Sequence, residues 1–95
     1  MKERTVIAEM SVPRLASHAR LQHDKHRDQW VVQAPERLLV LDAVAHEILR
    51  RCDGAATVAA IVDDLAKAYA APRDVIARDV CALLQDFADK GVMTA

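Results

Sequence analysis

Residues 37–54 of this 95-residue chain read RLLVLDAVAHEILRRCDG, and the pattern changes from strand to helix within them. Arg37–Leu41 is apolar on both faces, which favours a short strand covered from more than one side. Asp42 is a suitable N-cap, and Asp53-Gly54 supplies a stop signal for the helix between them. The apolar residues of that helix have helical spacing: Val44, Ile48 and Leu49. The stretch therefore predicts a strand that leads directly into a helix.

Two more strands are predicted upstream of this stretch. Arg20–His23 alternates polar and apolar residues, and Gln29–Gln33 (QWVVQ) is rich in strand-forming types. The turn residues Asp24–Asp28 separate them, which indicates a hairpin with a longer loop. Pro35 ends the second of these strands, because proline cannot donate to a central ladder.

Two further helices are predicted downstream. Thr57 is a suitable N-cap for the first, which ends before Ala71-Pro72. Pro72 suits the first turn of the second, and Gly91 ends it. The predicted core stripes are Val58, Ile61, Val62, Leu65 and Tyr69 in one helix, and Ile76, Val80, Leu83, Leu84 and Phe87 in the other.

This order of elements predicts an α+β domain over residues 13–95. We expect three short N-terminal antiparallel β-strands followed by three α-helices, in a winged-helix-like arrangement. Residues 1–12 show no convincing period, and we interpret them as an N-terminal arm that is loose or forms a short strand.

Composition excludes several classes of protein. The net charge is −1 and there are only two glycines, which argues against a phosphate-gripping surface or a glycine-rich phosphate loop. No apolar run approaches the roughly 20 residues that span a bilayer, and the charged N-terminus leads into no signal-type segment, so we expect a cytoplasmic protein without a membrane partner. We interpret Cys52 and Cys81 as small buried hydrophobes rather than a disulfide or redox pair.

The sequence gives little support for a metal site or a catalytic site. His18, His23 and His26 crowd the predicted hairpin together with Asp24, but their spacing matches no zinc-ligand pattern. A strand with a period of two also places His18 and His23 on opposite faces. No serine or cysteine has the neighbours of a nucleophile. We therefore expect no metal, no cofactor and no enzymatic activity.

The last helix allows two interpretations that involve a partner. A small DNA-binding regulator would place this helix in a groove, with Gln85 as the one plausible base reader. Its acidic residues outnumber its basic ones, which opposes phosphate binding. The basic residues are Arg73, Arg78 and Lys90, and the acidic ones are Asp74, Asp79, Asp86 and Asp89.

The alternative partner is an extended peptide. The edge of the Arg37–Leu41 strand and a mixed face of the last helix would form a groove that accepts an added strand. The residues of that face are Val75, Arg78, Asp79, Ala82 and Asp86. The simpler interpretation, a solvated helix face and a strand covered within the same domain, stays open, as does pairing of the N-terminal strands in a homodimer.

Five segments in this order resemble the PqqD family of pyrroloquinoline quinone biosynthesis. They are residues 13–15 (PRL), 20–21 (RL), 29–37 (QWVVQAPER), 45–57 (AHEILRRCDGAAT) and 79–92 (DVCALLQDFADKGV), and the resemblance extends from about Pro13 to the C-terminus. The chain departs from the family at Ala16-Ser17, where a more basic run is expected.

The resemblance implies a winged-helix-type peptide-recognition element. Such a protein would bind the precursor peptide PqqA, present it to the radical S-adenosylmethionine enzyme PqqE, and catalyse nothing itself. A recognition element of another peptide-modification pathway is an alternative. Transferred by element, the peptide-binding residues would be Arg37, Leu38, Leu39, Val40 and Leu41 on the strand, with Val75, Arg78, Asp79, Ala82, Leu83 and Asp86 on the helix.

Overall fold

The computed structural model describes residues 4–95, which form two small sheets and three helices. In chain order the elements are β1 (Arg14–Leu15), β2 (Arg20–Asp24), β3 (Gln29–Ala34), β4 (Arg37–Leu41), α1 (Ala43–Leu49), α2 (Val58–Tyr69), α3 (Arg73–Asp89) and β5 (Met93–Thr94). The predicted α+β class, with three antiparallel strands followed by three helices, is confirmed. The two-residue strands β1 and β5 are additional to it.

The larger sheet has the order β2-β3-β4, so β4 is an edge strand. Its register places Val32 of β3 opposite Leu21 of β2 and Leu39 of β4, on the face that packs on the helices. The side chains of Leu38 and Val40 alternate with these and lie on the opposite face. A two-residue turn, Pro35-Glu36, joins β3 to β4.

Two side-chain caps position the first two helices, as the sequence predicts. Asp42 directly follows β4, and its carboxylate accepts a hydrogen bond from the backbone N–H of Ala45 at 2.7 Å. The hydroxyl of Thr57 accepts from the N–H of Ala60 at 3.1 Å. Because a single residue separates β4 from α1, the end of the edge strand and the start of the helix are fixed together.

The core consists of aliphatic side chains from the sheet and all three helices. Val32, Val58, Val62 and Leu84 are completely buried. Two predicted core residues are instead largely exposed: Val44 is 55% exposed and Tyr69 is 49% exposed. Val44 is exposed because α1 spans only two turns and packs through Ala45, Ile48 and Leu49. Tyr69 is exposed because it is the last residue of α2.

The cysteines partly match their prediction. Cys52 is buried, Cys81 is half-buried, and both are free thiols. The predicted stripe of α3 is likewise buried only in part, because Ile76 and Leu83 are half-exposed at its border. This border lies beside the surface that the next section describes.

Residues 4–12, here called the N-terminal segment, form no strand and include a turn at residues 9–10, and residues 1–3 of the predicted arm lie outside the described residues. Ile7 is buried in the core, and its backbone N–H donates to the side-chain oxygen of Gln85 at 2.9 Å. The amide nitrogen of Gln85 donates to the carbonyl of Thr5 at 2.7 Å. Arg4 pairs with Asp89 at 2.8 Å. The segment is therefore attached along α3 through Gln85 and Asp89.

Candidate functional site

One of the two edges of the larger sheet lies on β4. Leu38 and Val40 are 57% and 59% exposed on the outer face, whereas Leu39 is half-buried against the core and Leu41 is buried. Arg37 is exposed at the start of the strand. An edge strand carries unpaired backbone N–H and C=O groups that can pair with another extended chain. β4 thus offers main-chain hydrogen bonds and an apolar outer face.

The mixed face of α3 is open as the sequence predicts. All five of its residues are exposed: Val75, Arg78, Asp79, Ala82 and Asp86. Asp86 pairs with Lys90 at 2.6 Å, one helical turn away. Ala82 has only a methyl group, so another chain can approach the helix backbone closely at this point. Leu83 is half-buried at the border of this face.

A cleft of about 340 Å³ lies between α1 and α3, next to Asp42 at the end of β4, and we call it the β4–α3 cleft. Asp42 and Val44, which follow β4 directly, lie on one side, and Asp79 and Leu83 of α3 lie on the other. The structure therefore places two of the predicted helix residues, Asp79 and Leu83, across this cleft from Asp42, the residue after β4. None of the predicted strand residues Arg37–Leu41 is part of this lining.

A second cleft of about 260 Å³ lies between the three helices, and we call it the three-helix cleft. It shares Val44, Ile48 and Asp79 with the β4–α3 cleft. Its other lining residues are Leu65, Tyr69, Ile76 and Val80. Sequence reasoning missed this cleft, because Val44 and Tyr69 have the spacing of core residues. The short length of α1 is the one signal that they could remain exposed.

Several ionisable groups outside both clefts have shifted pKa values. Hydrogen bonds from Arg51, then from Arg50, lower the pKa of Glu47 to about 2. The N–H groups of Ala56 and Ala55 lower the pKa of Asp53, and burial raises the pKa of the Cys52 thiol to about 12. Arg51 also pairs with Asp64 of α2 at 2.6 Å. These groups connect α1 to α2 and do not line the site.

The histidines that the sequence places near one another have separate roles. His23 pairs with Asp28 at 3.0 Å across the β2–β3 loop. The ring of Trp30 stacks on His46 of α1 at 4.1 Å between centroids. Within residues 4–95, no three side chains of the metal-ligating types are grouped closely enough to hold an ion. No helix in the same range is long and apolar enough to span a membrane.

Comparison with known proteins gives one consistent family. The family model described as "Coenzyme PQQ synthesis protein D (PqqD)" matches residues 29–93. A "PqqA binding protein" of Rhodopseudomonas palustris (strain TIE-1) is 55% identical over 91 residues, which cover 96% of this chain and 89% of the relative. One from Gluconobacter oxydans (strain 621H) is 48% identical over 88 residues, covering 93% of this chain and 92% of the relative.

Two solved structures share the fold. The solution structure of the PqqD truncation of Methylobacterium extorquens PqqCD, described as a functional and stand-alone RiPP recognition element, has a TM-score of 0.84 at 35% identity. It covers 99% of this chain and 100% of its own. The crystal structure of PqqD from Xanthomonas campestris has a TM-score of 0.57 at 40% identity, covering 90% of this chain and 94% of its own.

Proposed function

The chain belongs to the PqqD family, and on this premise we propose that it is a non-catalytic chaperone for the precursor peptide PqqA. The peptide would bind in an extended form beside β4 and α3 and would be presented to the radical S-adenosylmethionine enzyme PqqE. The names of the relatives support PqqA as the ligand. The family resemblance supports PqqE as the partner enzyme.

The observation that carries this proposal is the presence of both an unpaired strand edge and an exposed helix face. β4 has no neighbour on one side in the larger sheet, and α3 exposes a face with a small residue, Ala82, at its centre. Addition of a strand supplies affinity through main-chain hydrogen bonds, while adjacent clefts accept side chains and supply specificity. A peptide held in this way leaves its remaining residues free to enter the active site of a partner enzyme.

Titration of the ¹⁵N-labelled protein with synthetic PqqA tests the site. We expect the largest chemical-shift changes in Arg37–Leu41 and along the exposed face of α3. Ala82→Arg should weaken binding about tenfold or more, because a long charged side chain blocks the close approach at that position. His26→Ala is the matched control in the exposed β2–β3 loop and should bind as the parent does.

Far-UV circular dichroism of each variant separates lost binding from lost folding. Shift changes confined to residues 25–28, or a large loss of affinity in His26→Ala, would contradict the assigned groove. Sedimentation velocity on the same samples tests the proposed homodimer, because a second copy paired at β4 would have to leave before the peptide binds.

A further inference from the structure

We propose that the three-helix cleft takes one apolar side chain of the bound peptide, and that Asp79 pairs with a cation of the same peptide. The cation would be a lysine, an arginine or the amino terminus. This inference rests on the proposed function, because it assigns a specificity to the peptide at that site. It adds a second peptide-contacting surface, separate from the β4 edge and built from residues of all three helices.

The apolar part follows from how the cleft is built. Ile48, Leu65 and Val80 are buried and form its floor, while Val44 and Tyr69 are about half-exposed and form its walls. Large apolar side chains grouped on the surface of a small domain commonly mark an interaction site. Its volume of about 260 Å³ lies just below the roughly 300–1,000 Å³ of small-molecule pockets, which suits a single side chain.

The cationic part follows from the charges along the clefts. Asp42 and Asp79 are the charged residues that line them, and both are acidic. The carboxylate of Asp42 is committed to the N-cap of α1. Asp79 makes no side-chain hydrogen bond or ion pair with any residue in 4–95, whereas Asp86 and Asp89 of the same helix are both paired. An acidic group without a partner at the rim of an apolar cleft complements a cation beside an apolar side chain.

The position of the clefts makes them reachable from the strand edge. The β4–α3 cleft begins at Asp42, immediately after Leu41, and continues into the three-helix cleft through their shared residues Val44, Ile48 and Asp79. A peptide that pairs with β4 and extends beyond Leu41 would therefore pass both. Strand pairing and side-chain recognition would then act on neighbouring parts of one ligand.

Two variants with matched controls test the assignment by calorimetric titration with synthetic PqqA. Val44→Gln should weaken binding about five- to tenfold, because it removes an apolar wall without touching the floor. Val6→Gln, at another exposed valine on the N-terminal segment, should have no effect. Asp79→Asn should weaken binding roughly two- to fivefold, as expected for an exposed ion pair. Asp28→Asn in the β2–β3 loop should leave it unchanged.

The peptide provides the second half of a double-mutant cycle. Each lysine or arginine of PqqA is replaced in turn by methionine, and a further peptide has an acetylated amino terminus. For one of these peptides, Asp79→Asn should cause no additional loss, and that peptide identifies the source of the cation.

The outcomes distinguish this inference from the proposed function. If Val44→Gln and Asp79→Asn bind PqqA as tightly as the parent while Ala82→Arg has lost binding, the inference is wrong and the groove at β4 stands. If the parent protein shows no binding to PqqA at all, the proposed function fails and the inference fails with it.

Discussion

Both polar atoms of the Gln85 side chain bond to the backbone of the N-terminal segment. Its oxygen accepts from the N–H of Ile7 and its nitrogen donates to the carbonyl of Thr5, as a neighbouring strand would do. On sequence alone the same residue is the one plausible base reader of α3. The sequence does not contain this contact as a local pattern, because the partners are about 80 positions away.

Replacing Gln85 with alanine should destabilise the fold by about 1–2 kcal/mol, because two partly buried hydrogen bonds are lost. Urea unfolding measures this change, and hydrogen exchange should show faster exchange at the Ile7 amide. Gln22→Ala, on the exposed face of β2, is the control and should shift stability by less than about 0.5 kcal/mol. Unchanged protection at Ile7 would show that Gln85 does not hold the segment in solution.

The two thiols should differ in reactivity. Cys52 is buried, its thiol donates to the carbonyl of Ile48 at 3.3 Å, and burial raises its pKa to about 12. Since the thiolate is the reactive form, Cys81 should react first with iodoacetamide at pH 8, although burial raises its pKa as well. Peptide mapping by mass spectrometry checks the order. Equal rates at both positions would mean that the core opens readily around Cys52.

At the scale of elements, the sequence predicts what is fixed locally. The strand Arg37–Leu41 and the N-caps Asp42 and Thr57 are confirmed, because side-chain alternation and capping chemistry act over a few residues. The pairing of β1 with β5 is missed, because two-residue strands have no period and their partners lie at opposite ends of the chain.

The candidate site is predicted only in part for a related reason. The strand edge and the exposed face of α3 follow from periodicity, and both lie where the sequence places them. The three-helix cleft depends on how three helices meet, and the spacing of Val44 and Tyr69 suggests a core position instead. Whether an apolar residue at a helix end is covered depends on its tertiary neighbours, which periodicity does not describe.

The end of α2 provides a pair of substitutions with opposite effects. Ala70 follows the helix in the left-handed region with φ 49°, where glycine avoids the strain of a Cβ. Ala70→Gly should therefore stabilise the fold by roughly 1 kcal/mol. Ala68→Gly, two residues earlier inside the helix, should destabilise it by a similar amount. Thermal unfolding compares the two, and a loss of stability in both would show that Ala70 is not strained.

At the scale of the whole molecule, ion pairs connect separate elements of the fold. Arg51 bridges Glu47 of α1 and Asp64 of α2, and Arg4 joins the N-terminal segment to Asp89 of α3. Each is screened by solvent, so no single pair contributes much. Together they make the docking of the segment and helices depend on the carboxylates being ionised.

Stability should therefore decrease in acid. Hydrogen bonding with Arg51 lowers the pKa of Glu47 from 4.5 to about 2, and Arg4 lowers the pKa of Asp89 in the same direction. Both groups release protons more readily when folded, so they stabilise the protein above about pH 5 and lose that effect as the pH falls towards 2. The thermal midpoint should drop across this range, and Glu47→Gln should flatten the drop.

The control for the acid series is Glu36→Gln, in the exposed turn between β3 and β4. It should leave the slope of the midpoint against pH unchanged. A midpoint that stays constant or rises between pH 5 and pH 3 would show that the ion pairs do not form in solution.

The stacking of Trp30 on His46 gives the protein a built-in optical probe. Trp30 is the only tryptophan in the chain, and the two rings are nearly parallel, with an interplanar angle of 9°. Because Trp30 belongs to the sheet and His46 to α1, the indole emission reports whether these two parts are in contact. Since Trp30 also pairs with Leu41 at the end of β4, the same emission offers a label-free signal for events at the strand edge.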